Sequence, residues 1–188
     1  GAVEQTSRLF RESTPEEKRL LQQMRSWAET AVHRPDSKTR TLIAWLKKIV
    51  KPNGQWTDER VIIFTEYRDT QKWLMEMLAR EGLTGNDRLL LLYGGMDSPS
   101  REKVKAAFQA DPAASPVRIL LATDATSEGI DLQKHCHRLV HFEISWNPNR
   151  MEQRNGRIDR HGQRASEVLI FHFVGQGYQN RSWNAATD

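Results

Sequence analysis

The 188-residue chain has one cysteine, Cys136, so it holds no disulfide of its own and suits a reducing compartment. Its longest apolar run, the leucines of residues 89–92 with Tyr93, is far too short to span a bilayer, so no membrane association is expected. No charged-then-apolar leader opens the sequence, which leaves secretion unsupported. No glycine is followed by lysine, so the phosphate-loop pattern GxxxxGK[ST] is missing. Internal repeats and low-complexity linkers are lacking too. The chain opens on Gly1-Ala2 without methionine and stops mid-pattern at Asp188. It is expected to be a piece of a longer protein, with Gly1-Ala2 reading as a cloning scar.

What is there is a soluble globular balance, with 28% charged and 38% apolar residues and enough length for one sizeable domain. A net charge of +4 permits an anionic partner without requiring one. The first fifty residues are helical in pattern. Thr14-Pro15-Glu16-Glu17 reads as a capping box with proline at the first helical position, and Leu20, Leu21, Met24, Trp27 and Ala28 follow at helical spacing. A second helix follows Ser37, with Leu42, Ile43, Leu46, Ile49 and Val50 on one face, and Lys51-Pro52-Asn53-Gly54 closes it.

From residue 61 short apolar runs alternate with helical stretches. Strands are predicted over 61–64, 89–93, 117–122, 139–142 and 168–174, with helices after the first, second and fourth and a short segment over 127–131 after the third. Five such strands predict an α/β fold, a parallel sheet with helices on both faces. In such a sheet ligands sit beyond the carboxyl ends of the strands. The segments to search are therefore FTEYRDT (64–70), YGGMDS (93–98), ATDATSEGIDLQ (122–133) and FEISWNPNRMEQRNGRIDRHGQ (142–163). Most of these have an ordinary reading as caps and turns.

The last is different. Asn147 and Pro148 suit a helix start, and a helix is predicted from 148 to about 160, on which Gln153, Arg157 and Arg160 share a face. Asn155-Gly156 would sit in its middle, where glycine costs about 1 kcal/mol against alanine. Two arginines side by side repel unless an anion joins them, and the planar guanidinium with its permanent charge suits a phosphate. Arg154 and Arg164 read as ordinary surface charges.

These segments also carry a resemblance. ATDATSEGIDLQ resembles motif V of superfamily 2 helicases, and QRNGRIDRHGQ resembles motif VI. SWNPNRMEQRNGRIDRHGQ is similar to the Swi/Snf-like group, especially its bacterial RapA-like members. VIIFTEY resembles motif IV, and LLYGGMDSPSREKVKAAF resembles the conserved block that follows it. The resemblance covers about residues 37–174 and implies a RecA-like fold, the second of two lobes that bind ATP and magnesium between them and lie on nucleic acid. Residues 1–36 have no counterpart and form an N-terminal helical extension to the lobe at 37–188.

The resemblance implies a role for each matching residue. Arg157 and Arg160 become arginine fingers on the transferring γ-phosphoryl group, with Gln153 reading the phosphate or positioning them. Gly129 and Asp131 would sit beside the nucleotide, although eukaryotic remodellers usually carry asparagine at the place of Asp131. Thr65 and Thr123 would contact the nucleic-acid backbone, with Arg68 and Gly95 as weaker candidates. The first lobe would supply the lysine, the base and most of the magnesium site, since Asp58-Glu59 precedes a strand rather than following one. The expected partners are double-stranded DNA and that first lobe, in a bacterial cytoplasm near the nucleoid. An RNA helicase lobe and a non-catalytic binding module are the alternatives.

Other constellations have bland readings. Lys134-His135-Cys136-His137-Arg138 offers three metal ligands with no fourth at suitable spacing, and alternation separates the cysteine from both histidines. A buried cysteine at a strand entrance is the expectation. Trp27, Trp45, Trp73 and Trp146 are expected to be packing residues, of which one could stack on a base. Arg34, Lys38, Arg40, Lys47, Lys48 and Lys51 are expected to form a solvated basic face.

Overall fold

Strand β1 (Val61–Thr65) is buried at all five positions because it is the middle of a five-stranded sheet. The structure, a computed structural model, describes residues 13–124 and 131–175. Around β1 the strands lie in the order β2 (Leu89–Leu92), β3 (Ile119–Thr123), β1, β4 (Arg138–His141), β5 (Leu169–His172), every pair parallel. The register sets Thr65 opposite Thr123 and Phe64 opposite His141.

Alternation along the strands divides the core in two. Val61 and Ile63 join Ile119 and Leu121 on one face, packed by Leu42 and Leu46 of helix α2 (Ser37–Val50) and Leu74 and Leu78 of helix α3 (Arg68–Arg80). Ile62 and Phe64 join Leu120 and Ala122 on the other, packed by Phe108 of helix α4 (Ser98–Gln109) and by Leu132 and Ile158. The helices thus divide between the faces as right-handed crossovers between parallel strands require. The α/β reading therefore holds, with the strand ends shifted by one or two residues. Val117 and Phe142 are buried yet fall outside the strands, because an apolar run marks burial and not ladder pairing. On the edge strand β5, Leu169 and Phe171 are half-buried while Ile170 and His172 are exposed, so one face of this strand is open.

Local signals fix several helix ends. Gly82 ends α3 with φ of 68°, and Leu83 N donates to Leu78 O at 3.0 Å just beyond it. Asp97 caps α4 through Ser100 N at 2.8 Å. The basic set on and beside α2 is partly engaged rather than solvated. Lys38 donates to Phe142 O and stands 4.0 Å over its ring, Lys47 pairs with Glu81, and Lys51 bonds Gly82 O. Two buried arginines brace the amino ends of the strands. Arg60 donates to Val117, Phe108 and Ala110 carbonyls, and Arg118 to those of Ser115 and Pro112 and to Asp58.

Residues 1–37 and 38–188 form two compact units. In the first, helix α1 (Pro15–Ala31) begins with the expected capping box, Glu17 N donating to Thr14 Oγ1 and Thr14 N to Glu17 Oε2. No residue of this helix is buried. Among the described residues no helix is long and apolar enough to cross a membrane.

Candidate functional site

Beyond the carboxyl ends of β1, β3 and β4 the chain builds a connected polar layer. Glu143, two residues past β4, accepts from Glu66 N at 2.7 Å and Thr70 Oγ1 at 3.1 Å, tying the β4 exit to the β1 exit. Asn147 caps helix α5 (Pro148–Asn155), its Oδ1 accepting from Asn149 N at 3.0 Å. The helix stops at Asn155, five residues short of the predicted end. Asn155 O is taken by Ile158 N and Asp159 N, which folds residues 156–160 into a tight turn capped at Gly156. Arg157 and Arg160 therefore stand on this turn and not on a helical face with Gln153.

The turn nevertheless gathers several of the expected residues. Arg157 Nε donates to Gln153 O at 3.0 Å, and Arg157 O accepts from Leu132 N at 3.0 Å. Arg160 is ion-paired with the carboxylate of Asp131. Gln133 Nε2 reaches His161 O at 3.3 Å. Residues 131–133 and 157–161 are thereby laced together, while Gly129 lies outside the described residues. Among the nucleic-acid candidates, Thr65 and Thr123 are buried side by side, with Thr65 Oγ1 donating to Ala122 O at 3.4 Å. Arg68 lies 3.5 Å over the Tyr93 ring and donates to Gln71 Oε1. Gly95 is exposed with φ of 83°, a left-handed turn that favours glycine.

Two readings need correction. Arg154, taken as a surface charge, is 0% exposed. Its Nε and Nη2 fork onto the two carboxylate oxygens of Asp124, the latter at 2.7 Å, and its Nη1 reaches Glu143 O at 2.9 Å and His141 Nδ1 at 3.2 Å. A signal for this was present, because Met151 and Ile158 flank Arg154 at i−3 and i+4 and mark the inward face. Trp146 and Trp27, taken as packing residues, are 99% and 74% exposed, and Ile144 and Tyr67 are exposed near Trp146 or the same strand ends in sequence. Trp45 does pack, with its ring 4.8 Å from that of Phe171.

Arg154 can only donate, so His141 Nδ1 accepts from it and the ring hydrogen sits on Nε2, 2.8 Å from Asn155 Oδ1. Burial pushes the His141 pKa below 6.5; the Asn155 bond opposes this, and Arg154 and His172 add to it. The unfolded chain then binds a proton that the folded lobe refuses, so stability falls as pH drops from 6.5 toward the lower folded value. We expect the urea midpoint of the lobe to decline in that window. Ring nitrogen shifts should show His141 neutral with hydrogen on Nε2 at pH 6.5, and a half-protonated ring there would refute it. Cys136 is no nucleophile, since burial pushes its thiol up to about 12. Among the described residues no three His, Cys, Asp or Glu side chains are grouped to hold a metal.

An all-parallel five-stranded sheet, covered by helices and carrying a polar layer beyond the carboxyl ends of its strands, defines a RecA-like lobe. Residues 41–162 match the helicase conserved C-terminal domain. The chain belongs to this family, as a C-terminal RecA-like lobe of the superfamily 2, Swi/Snf-like kind. It is 36% identical over 128 residues to the uncharacterized ATP-dependent helicase YqhH of Bacillus subtilis, covering 68% of this chain and 20% of that protein. It is 34% identical over 136 residues to the RNA polymerase-associated protein RapA of Photobacterium profundum, covering 71% and 13%. The C-terminal part of the Fun30 ATPase domain is a structural relative, with a TM-score of 0.61 and 25% identity over 73% of this chain and 40% of that one. The chain spans a fifth or less of the curated relatives it matches here.

Proposed function

We propose that this lobe completes the ATP site of a nucleic-acid-dependent, Swi/Snf-like translocase by supplying Arg157 and Arg160 as arginine fingers. The observation that carries the reading is the pair itself: two guanidinium groups on one tight turn, each tethered by a different neighbour, Gln153 O and Asp131. A γ-phosphoryl group gives both a common anion, and ATP supplies the phosphoryl chemistry when bound between two lobes. The donor set here fits phosphate and not magnesium, for the described residues group no carboxylates suitable for the ion. Magnesium, the phosphate-loop lysine and the base belong to the first lobe, a partner in the same parent chain.

The nucleic-acid side of the reading is backbone contact by double-stranded DNA along the strand ends. Exposed Gly95, and Arg68 on Tyr93, offer surface there. Thr65 and Thr123, buried in the sheet, serve this role through the backbone around them. Gripping phosphates rather than bases gives little sequence preference and a steep salt dependence.

ATP hydrolysis by the full-length parent protein tests this, measured alone and with duplex DNA or RNA, beside residues 1–188 alone. Turnover stimulated by duplex DNA, with none from residues 1–188, is expected. Stimulation by RNA only would transfer the lobe to the RNA helicases. Absence of ATPase from the parent would make it a binding module, and substantial DNA-stimulated turnover by the isolated lobe would refute the two-lobe division.

A further inference from the structure

Arg154 has no part in the reading above, yet it is the most completely engaged side chain of the site. A guanidinium that is 0% exposed costs several kcal/mol to desolvate, and apolar replacements of buried ion pairs are often neutral, so stability alone does not account for a charge there. Its partners lie on two exits from the sheet, and one of them reaches a third. Asp124 directly follows β3, His141 ends β4, and Glu143 joins the β4 exit to Glu66 and Thr70 beyond β1. Asn155, the next residue, is held by the far side of the same imidazole. The carbonyl of Asn155 in turn accepts from Ile158 and Asp159, so the turn bearing Arg157 and Arg160 hangs from this anchored pair.

A second attachment lies at the other end of the motif V segment. Leu132 N donates to Arg157 O, and Asp131 pairs with Arg160. Residues 124 and 131–132, on either side of 125–130, are thus both fastened to 154–160. The first fastening is a buried, bidentate fork adjoining Thr123; the second combines the backbone bond of buried Leu132 with an ion pair whose partners are well exposed, 43% and 51%, so its side-chain part is weak by comparison.

We propose that Arg154 is a positioning residue: its fork onto Asp124 fixes the turn that bears Arg157 and Arg160 to the end of β3. This rests on the finger reading above. Lysine cannot reproduce the fork, since it offers one point charge in place of two parallel N–H donors. Displacing a reacting group by about an ångström can cost about 100-fold in rate.

The test is steady-state ATPase of the full-length parent protein, with kcat, KM for ATP and Kd for duplex DNA, plus thermal unfolding, for R154K, for the apolar pair R154M/D124L and for R157A. The apolar pair guards against a variant that fails merely by leaving a charge buried, since it removes both charges together. The expected result is that R154K and the apolar pair melt near the native temperature and keep KM and Kd. Their DNA-stimulated kcat should fall by about 100-fold. Native kcat in a folded apolar pair would overturn the proposal, as Arg154 would then be structural only. Equal losses in KM, Kd and kcat that follow the fall in melting temperature would overturn it as well. R157A separates the two layers: if it keeps turnover, the finger reading itself fails, whereas loss in R157A with native kcat in R154K and the apolar pair defeats only the positioning role.

Discussion

Arg157→Ala in the full-length parent protein is expected to cut DNA-stimulated ATP turnover by about 1,000- to 100,000-fold while leaving duplex DNA binding nearly intact. The size follows from what the residue does. A permanent positive charge aimed at the equatorial oxygens stabilises charge that is greatest in the transition state, so kcat falls rather than affinity. Arg160→Ala should behave alike, and its pairing with Asp131 does not hinder this. Both partners are well exposed, so the ion pair is worth little in water and the guanidinium can exchange a carboxylate for a phosphate. Arg157 differs in being tethered through Nε to the carbonyl of Gln153, four residues before it, rather than to a carboxylate. Paired measurements of turnover and DNA affinity check the prediction. Equal loss of both would assign these arginines to the nucleic-acid backbone instead.

Phe64→Ala is expected to cost about 3–5 kcal/mol of lobe stability, read as a shift of the urea unfolding midpoint. Phe64 is 1% exposed on the central strand, in the core cluster that also contains Ile62, Leu120, Phe108 and Ile158. With strands on both sides, the site has little freedom to collapse around the missing ring, so transfer and cavity terms both apply in full. The Arg154 guanidinium also lies 5.6 Å from the ring centroid, so the deletion loosens the polar layer from below. Trp146→Ala supplies the contrast. At 99% exposure this large side chain buries almost nothing, and its removal should leave the midpoint unchanged. A shift below about 1 kcal/mol for Phe64→Ala, or a large one for Trp146→Ala, would contradict the burial assignments.

Much of the architecture was legible because it is local. The runs VIIF and ILLA are apolar throughout because both their faces are covered, and that pattern is visible without coordinates. Capping by Thr14 and Asn147 is visible for the same reason, since each cap reaches only two or three residues along the chain. The end of α5 was less legible. Arg157 and Arg160 fit a continued helical face, but the carbonyl of Asn155 is drawn into a turn whose Ile158 must reach the second core.

From the sequence alone came the α/β class, the family resemblance and the identity of the segments that meet beyond the strands. The reason is that hydrophobic period, turn chemistry and motif spacing are written within a few residues of one another. The tertiary structure alone decided the roles of Arg154 and Trp146. One is a charge made tolerable in the interior by Asp124, thirty positions away, and the other an aromatic that no neighbour covers. Neither fact is a property of the residue or of its flanks. Both depend on which strand ends the sheet order sets side by side, and so on how far a charge or a ring stands from water.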